Sequence, residues 1–239
     1  MQYDEGALQA VRERRLLIDE YDSWLVEELR PFLGQRVIEV GCGLGNLLKH
    51  FVDRELVVGI ETSPETVTEA KRKFAGFENV SIYEYSITDQ SVLALQEMKF
   101  DSAVSLNVFE HIEDDELAMQ HTALLLKPSG YFVLIVPAHQ WLYGTMDSSI
   151  GHYRRYTKAL AKEKLEKTGF RIVHQKYLNT LGAIGWFVNG RFLRRNVPPS
   201  GQLRMFNKIV PILKAVERVF TPPFGISLIT VAQRKSEVN

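Results

Sequence analysis

The sequence predicts an α/β fold built around a doubly wound, mostly parallel sheet. Short apolar runs typical of buried strands alternate with helical patterns as far as Val136, which favours parallel strands joined by right-handed crossovers. A glycine-rich turn follows the first apolar run, at Gly41, Gly43 and Gly45, and an acidic residue, Glu61, closes the second. Open sheets of this kind bind ligands at the carboxyl ends of their strands.

The composition suits one α/β domain with additions, because 239 residues are enough to bury a large core. Lys+Arg and Asp+Glu both total 29, so no overall positive field favours a nucleic-acid partner. The single cysteine, Cys42, excludes an internal disulfide and is typical of a reducing compartment. The polar N-terminus shows no secretory signal, and no apolar run approaches the ~18 residues of a membrane span. We therefore expect a cytoplasmic protein.

The N-terminal segment, residues 4–33, has the apolar spacing of one or two amphipathic helices that end near Pro31 and Gly34. Its apolar positions are Leu8, Val11, Leu16, Leu17, Tyr21, Trp24, Leu25 and Leu29. Such a stripe must pack on the sheet or over a ligand, so we expect residues 1–34 to form a helical cap on a core of residues 35–239. Tyr21 and Trp24 either line a ligand pocket or belong to the core.

The stretch from Val37 to Lys49 predicts a buried strand, a tight glycine turn and a helix. Glycine permits positive φ and lets a ligand lie on the backbone, and the N–H groups of a helix start are a positive end. The spacing differs from the dinucleotide fingerprint, because Asn46 stands where its third glycine would be. A nucleoside ligand is the prediction; the alternative is a turn that binds nothing.

The pattern E-x-G-x-G-x-G from Glu39 to Gly45 resembles the first motif of the class I S-adenosylmethionine-dependent methyltransferases. The resemblance implies a Rossmann-like, seven-stranded sheet with an antiparallel last strand, and S-adenosyl-L-methionine as the cofactor. It also implies that the turn with Gly41, Cys42, Gly43 and Gly45 approaches the methionine and ribose parts, and that Glu39 helps to hold the methionine ammonium.

The second strand is predicted at Leu56 to Ile60, and Glu61 closes it. Thr62 follows, and Ser63 with Pro64 marks a helix start. A carboxylate at this strand tip can accept hydrogen bonds from both ribose hydroxyls, and the resemblance implies that role for Glu61, with Thr62 beside it. The alternative is an exposed charge that stabilises the helix N-terminus.

The third strand is predicted at Val80 to Tyr85, and the loop after it lies where the resembled enzymes recognise adenine. Those enzymes often carry an acid first and then a small or apolar residue. This chain has Ser86 and Ile87 in these two places, and we expect both to contact the adenine. Asp89 is either a further ligand or the N-cap of the next helix.

The fourth strand, Asp101 to Leu106, leads into a segment ending in Glu110-His111 that also resembles these methyltransferases. Asn107 should lie near the methionine part of the cofactor. His111 is either a general base or a residue that fixes the loop. The acidic run from Glu113 to Glu116 predicts a helix start. No ligand spacing of a zinc type occurs, so we expect no metal.

The fifth strand is predicted at Tyr131 to Val136, and a loop of ~20 residues, unusual unless functional, runs from Pro137 to Tyr156. Part of this loop, from Asp147 to Thr157, resembles a pattern in a bacterial branch of the family. We expect the loop to bind the methyl acceptor through Trp141, Tyr143, Asp147, Arg154 and Arg155, with His139 and His152 as candidate bases. The two arginines either clamp a carboxylate or phosphate, or one of them pairs with Asp147 and braces the loop.

A helix from Thr157 to Thr168 and strands at Phe170 to Leu178 and Ser227 to Arg234 complete the core. A long insertion, about residues 179–226, separates the last two strands, which the resemblance implies are antiparallel. Aromatic residues and arginines interleave at residues 185–195. This segment is a lid, a dimer surface, a peripheral membrane contact or a packed helical pair.

The function that the resemblance implies is methyl transfer from S-adenosylmethionine to a small-molecule or lipid/glycan-linked acceptor. Because the cofactor supplies the reactive group, orientation of the acceptor is the main catalytic effect expected. The alternatives are a non-catalytic module that binds S-adenosylmethionine and a nicotinamide-dependent oxidoreductase. The sequence leaves the acceptor, the methylated atom and the choice between monomer and homodimer open.

Overall fold

One mixed sheet forms the centre of the computed structural model, which describes residues 17–236 together with Asp4, Gly6, Ala10, Glu13 and Arg14. Its strands are β1 (Arg36–Val40), β2 (Leu56–Glu61), β3 (Val80–Glu84), β4 (Phe100–Leu106), β5 (Leu126–Pro137), β6 (Phe170–Leu178) and β7 (Ser227–Arg234). The order is β3-β2-β1-β4-β5-β7-β6. Within the described sheet, β7 runs antiparallel to the other six strands, pairing with β5 on one side and β6 on the other. The predicted seven-stranded fold is confirmed.

The helices that cover this sheet are α1 (Asp19–Leu29), α2 (Pro64–Lys73), α3 (Asp115–Leu125), α4 (Thr145–Ser149), α5 (Lys158–Lys167), α6 (Thr180–Trp186) and α7 (Ser200–Val219). Side-chain caps start several of them. Ser63, Asp114 and Thr157 each accept a hydrogen bond from a backbone N–H of the first turn of α2, α3 and α5 respectively.

Of the predicted N-terminal positions, Leu8, Val11 and Leu16 lie outside the described residues.

The two faces of the sheet carry separate apolar layers. Ile38 and Val40 of β1 point into the layer that contains residues of α3 and α5. Val37 points to the opposite face, into the layer that contains residues of α1, α2 and α7. Because side chains alternate along a strand, Glu39 shares the face of Val37 and lies on the side covered by α1.

The insertion between β6 and β7 packs against the N-terminal segment. It contains α6, a π-helical segment (Phe187–Phe192) and α7. The ring centroids of Tyr21 and Phe206 are 5.9 Å apart, and the Asn207 amide donates a hydrogen bond to Asp19 at 2.6 Å. Tyr21 and Trp24 are buried and belong to the apolar core, which is the second of the two roles predicted for them. Within residues 17–236, no helix combines the length and apolar character needed to cross a bilayer.

Two predictions of local structure were wrong. The helix expected after the glycine turn is a single 3-10 turn (Leu48–His50), in which Leu48 packs into the core. The fifth strand, expected to begin at Tyr131, begins at Leu126 with an irregular segment in which Ser129 has φ +64° and the pairing with β4 shifts register. Such a bulge accommodates the extra residues without ending the strand.

Candidate active site

The glycine turn after β1 leaves one open approach to the main chain. Gly41, Gly43 and Gly45 all have positive φ, at 72°, 52° and 73°. A Cβ on Gly41 would lie 2.4 Å from Val108, and one on Gly45 would lie 2.2 Å from Phe74. At Gly43, no atom of the described residues lies within 4 Å of that position. Packing therefore requires the outer glycines, while Gly43 faces space that a ligand can occupy.

Glu39 is a buried carboxyl group, and one of its oxygen atoms accepts no hydrogen bond within the described residues. Its side chain is 3% exposed, and its Oε2 atom accepts no hydrogen bond from any residue of the described chain. Burial raises the pKa of Glu39 well above its usual range, and the charges of Glu61 and Asp22 add to the effect. A buried acceptor without a donor is costly, and a cationic ligand group would satisfy it.

Glu61, at the end of β2, lies directly beside this turn. Its Oε2 atom accepts a hydrogen bond from the Gly43 N–H at 3.0 Å, while Oε1 accepts from the N–H groups of Thr62 and Ser63 at 2.8 and 3.2 Å. The structure thus brings Glu39, Gly43 and Glu61 together, as the sequence predicted for one ligand site.

Cys42 belongs to the same turn but contributes no reactive group. Its side chain is buried, and burial followed by the charges of Glu39 and Glu61 raises the pKa of its thiol. The thiol therefore stays protonated near neutral pH. Only the backbone of Cys42 can take part in binding.

The loop after β3 is tied down by its own side chains. The Ser86 and Thr88 hydroxyls lie 2.8 Å apart, and Ile87 is buried with its carbonyl oxygen 2.7 Å from Nδ1 of His121. Asp89 accepts from the Ser91 N–H at 2.8 Å and caps the following 3-10 helix. Of the two roles open for Asp89, the cap is the one that the structure shows.

Asn107 marks the carboxyl end of β4 with an unusual backbone. Its φ is +54°, and its N–H donates to the Ile135 carbonyl at 2.9 Å. Non-glycine residues rarely adopt this conformation, and such strain concentrates at functional sites. The predicted site residues of β1 and β4 therefore share the edge where the topology changes direction, since these strands are neighbours.

The predicted acceptor loop, residues 137–156, is ordered around Asp147. One carboxylate oxygen of Asp147 lies 2.8 Å from His152 Nδ1 and accepts from Arg155 Nε at 2.7 Å. The other accepts from the Gly144 N–H and from the Trp186 indole, both at 3.0 Å. Burial alone would raise the pKa of Asp147, but these bonds and the Arg155 charge outweigh it and hold that pKa below its usual range.

The two arginines of this loop do not form a free anion clamp. Arg155 is buried and donates to Asp147 and to the Ala138 carbonyl. Arg154 donates to the Ile112 and Glu113 carbonyls and pairs with Asp115 at 2.8 Å. Of the two interpretations, these contacts support the second: the guanidinium groups, together with Asp147, brace the loop against α3 and the insertion.

His139 and Trp141 lie at the other end of the loop, among aromatic rings. His139 has φ +62°, its ring centroid is 4.3 Å from that of Tyr177, and its Nε2 atom is buried with no hydrogen-bond partner in the described chain. Burial and then the Arg155 charge lower the pKa of His139, so the ring is neutral near pH 7. Trp141 is 51% exposed, and its ring centroid lies 5.9 Å from that of Phe187 in the insertion.

His111 and His152 meet although about 40 positions separate them. Their ring centroids are 4.6 Å apart, and His152 Nε2 lies 3.7 Å from Glu110 Oε1. Burial lowers the pKa of His152 more than the bond with Asp147 raises it. Tyr143 completes this region by donating its hydroxyl to the His152 carbonyl at 2.7 Å.

Three contributors to this region were not predicted from the sequence. Glu110 was quoted only as part of a motif, although it points to the two histidines. Tyr177 of β6 and Trp186 of α6 contact His139 and Asp147 from distant parts of the chain. The Glu110-His111 pair was a usable signal for Glu110, whereas the tertiary fold alone places Tyr177 and Trp186.

Comparison with known proteins identifies the family. A model described as a methyltransferase domain matches residues 11–175. Because this match covers more than half of the sequence, the chain belongs to the methyltransferase domain family. The predicted relationship to the class I S-adenosylmethionine-dependent methyltransferases is thereby confirmed.

Individual relatives match part of the chain. A ubiquinone biosynthesis O-methyltransferase from Bartonella tribocorum is 31% identical over 142 residues, which are 59% of this chain and 55% of the relative. An uncharacterized 37.1 kDa protein in a transposon of Streptomyces fradiae is 29% identical over 154 residues, 62% of this chain and 43% of that protein. The chain spans about half the length of the curated relatives it matches.

Solved structures share the fold at low sequence identity. An S-adenosylmethionine-dependent methyltransferase from Mesorhizobium loti has a TM-score of 0.58 at 16% identity, over 87% of this chain and 96% of that chain. The [4+2]-cyclase SpnF also has a TM-score of 0.58, at 17% identity, over 91% of this chain and 80% of its own. Since a cyclase shares the fold, the reaction must be argued from the site.

Proposed function

We propose that this protein transfers a methyl group from S-adenosylmethionine to a small-molecule or lipid/glycan-linked acceptor. The observation that carries the proposal is Glu39, a buried carboxyl group four positions before Gly43, one of whose oxygens has no hydrogen-bond partner among the described residues. An ammonium group is the partner that such a carboxyl needs. Membership of the methyltransferase family supports a cofactor with a free amino-acid group in this place.

Each part of the proposed cofactor site has a definite task. Glu39 would hold the methionine ammonium, and the main chain at Gly43 would lie against the ligand. Glu61 would accept hydrogen bonds from the ribose hydroxyls, and the loop at Ser86 and Ile87 would meet the adenine. Residues 1–34 would act as a cap, since α1 covers the face on which Glu39 lies. S-adenosylmethionine, when bound, supplies a methyl group activated by its sulfonium.

The chain's own residues would then position the acceptor and accept a proton from it. Orientation of reacting groups is worth ~7–11 kcal/mol in favourable cases, so a braced loop at residues 137–156 is a suitable platform. His139 is neutral near pH 7, and its buried Nε2 atom has no hydrogen-bond partner among the residues that the structure describes. It is therefore the group that we propose to accept the proton of an acceptor hydroxyl.

The acceptor class follows from the relatives and from the surface of the insertion. Several relatives are ubiquinone biosynthesis O-methyltransferases, which supports an oxygen acceptor on a small molecule. Phe187 and Phe192 are 39% and 78% exposed beside Arg191 and Arg194. Exposed aromatic and basic side chains favour contact with an anionic lipid surface, so we propose that residues 185–195 touch a membrane that carries the acceptor.

Turnover with fractionated acceptors tests this function. We expect S-adenosylhomocysteine to form with a lipid fraction in phosphatidylglycerol vesicles, and Phe192→Ser to lower that rate several-fold without changing turnover on a water-soluble acceptor. Bound S-adenosylmethionine without turnover on any fraction would favour the non-catalytic alternative. Equal rates for Phe192→Ser and wild type on vesicles would contradict the proposed membrane contact of residues 185–195.

A further inference from the structure

Three metal-binding side chains converge at the carboxyl edge of the sheet, apart from the proposed cofactor contacts. Glu110 and His111 follow β4, and His152 follows β5. One ligand atom from each residue lies within 4.8 Å of those from the other two. The backbone joins the two segments here, because the Tyr153 N–H donates to the Glu110 carbonyl at 2.8 Å.

The distances suit a single small cation. A tetrahedral ion with bonds of ~2.0–2.2 Å places its ligand atoms about 3.4 Å apart. His152 Nε2 and Glu110 Oε1 are already 3.7 Å apart. His111 is half-buried, so its ring can approach the other two by a small rotation and also leave a route for the ion.

A second observation, independent of this clustering, concerns how His152 is held. Its Nδ1 atom lies 2.8 Å from Asp147 Oδ1, and this contact leaves Nε2 directed at Glu110. Histidine ligands of metals are commonly oriented in this way, by a carboxylate on the other ring nitrogen. Asp147 is itself fixed by Arg155 and Trp186, so the imidazole has a preorganised direction.

We propose that Glu110, His111 and His152 form a site for one divalent first-row cation such as Zn²⁺, with Asp147 as the residue that orients His152. Two imidazoles and one carboxylate are a ligand set typical of zinc and of non-haem iron, with positions left for other ligands. The sequence predicted no metal because His152 lies far along the chain from Glu110 and His111. Should the proposed methyl transfer hold, an acceptor hydroxyl bound to this ion would have a lowered pKa.

Metal titration of the full-length protein tests the site directly. Tag-free protein is stripped with a chelator and titrated with Zn²⁺ by calorimetry, and the visible spectrum of Co²⁺ reports the coordination. We expect one ion per chain, at least tenfold weaker binding in His111→Ala and in His152→Ala, and a ten- to hundred-fold loss in Asp147→Asn. His174→Ala, which removes an exposed imidazole of β6, is the matched control and should bind as wild type does.

Because His152 is buried, thermal unfolding is measured for each variant to show that it is folded. If the His152 or Asp147 variants unfold, the comparison of His111→Ala with wild type decides the test, since His111 is only half-buried. Absence of stoichiometric binding to the wild-type protein, or equal affinity in His111→Ala and wild type, would overturn the proposal. The readout uses neither acceptor nor S-adenosylmethionine. Failure of the methyltransferase proposal would therefore leave this result intact, and calorimetry with S-adenosylmethionine distinguishes the two.

Discussion

Replacement of Glu39 by glutamine is expected to weaken S-adenosylmethionine binding by about thirty-fold or more. Removal of one partner from a buried charge pair typically costs about 2–5 kcal/mol, and thirty-fold corresponds to the lower end of that range. Glutamine keeps the shape of the side chain, so the loss reports the charge. Calorimetric titration of wild type and Glu39→Gln with S-adenosylmethionine measures it.

The same substitution should leave the free protein at least as stable, which separates a binding role from a structural one. Folding raises the pKa of Glu39 because the group is buried. Such a carboxyl favours the folded state fully below its unfolded pKa, and this contribution is lost as pH rises through the folded pKa. Relative to wild type, Glu39→Gln should therefore gain free energy of unfolding as pH rises above the unfolded pKa of a glutamate, about 4.3, in urea titrations. Equal binding by both proteins would contradict the ammonium role.

Replacement of Glu61 by alanine should weaken cofactor binding by at least tenfold, about 1.4 kcal/mol. The carboxylate lies next to Gly43 and is held by three backbone N–H groups, so it is preorganised to accept from a sugar. Affinity for S-adenosylmethionine is measured by calorimetry, and adenosine serves as a smaller probe that retains the ribose.

Glu84 supplies the matched control for Glu61. It is the register partner of Glu61 on β3 and is exposed, so Glu84→Ala removes a carboxylate from the neighbouring strand at the same level. We expect its affinity to equal that of wild type. If Glu61→Ala also binds normally, Glu61 has no place in the cofactor site.

The local structure around the glycine turn could be predicted from the sequence because its determinants are local. The strand tips carry Glu39 and Glu61, and positive φ at three glycines shapes the turn between them. The bounds of β6 and β7 agree with prediction to the residue, since Gly169 and alternating apolar residues define the first of them. The helix after the turn was overpredicted, because its apolar residues pack into the core within one 3-10 turn.

The acceptor half could not be derived in this way, since its contacts join distant segments. Arg154 and Arg155 suggested an anion clamp by their type, but the fold places Asp115 and Asp147 against them. Glu110 and His152 become neighbours only when β4 and β5 lie side by side. A sequence shows which side chains are available, whereas the sheet order decides which of them meet.

The central claim is that the open face at Gly43, between Glu39 and Glu61, binds an adenosyl sulfonium. Calorimetric titration of the wild-type protein with S-adenosylmethionine and, separately, with NAD tests it most directly. We predict saturable binding of one S-adenosylmethionine per chain and no heat of binding with NAD. Binding of NAD alone, or no binding of S-adenosylmethionine, would contradict the proposed function.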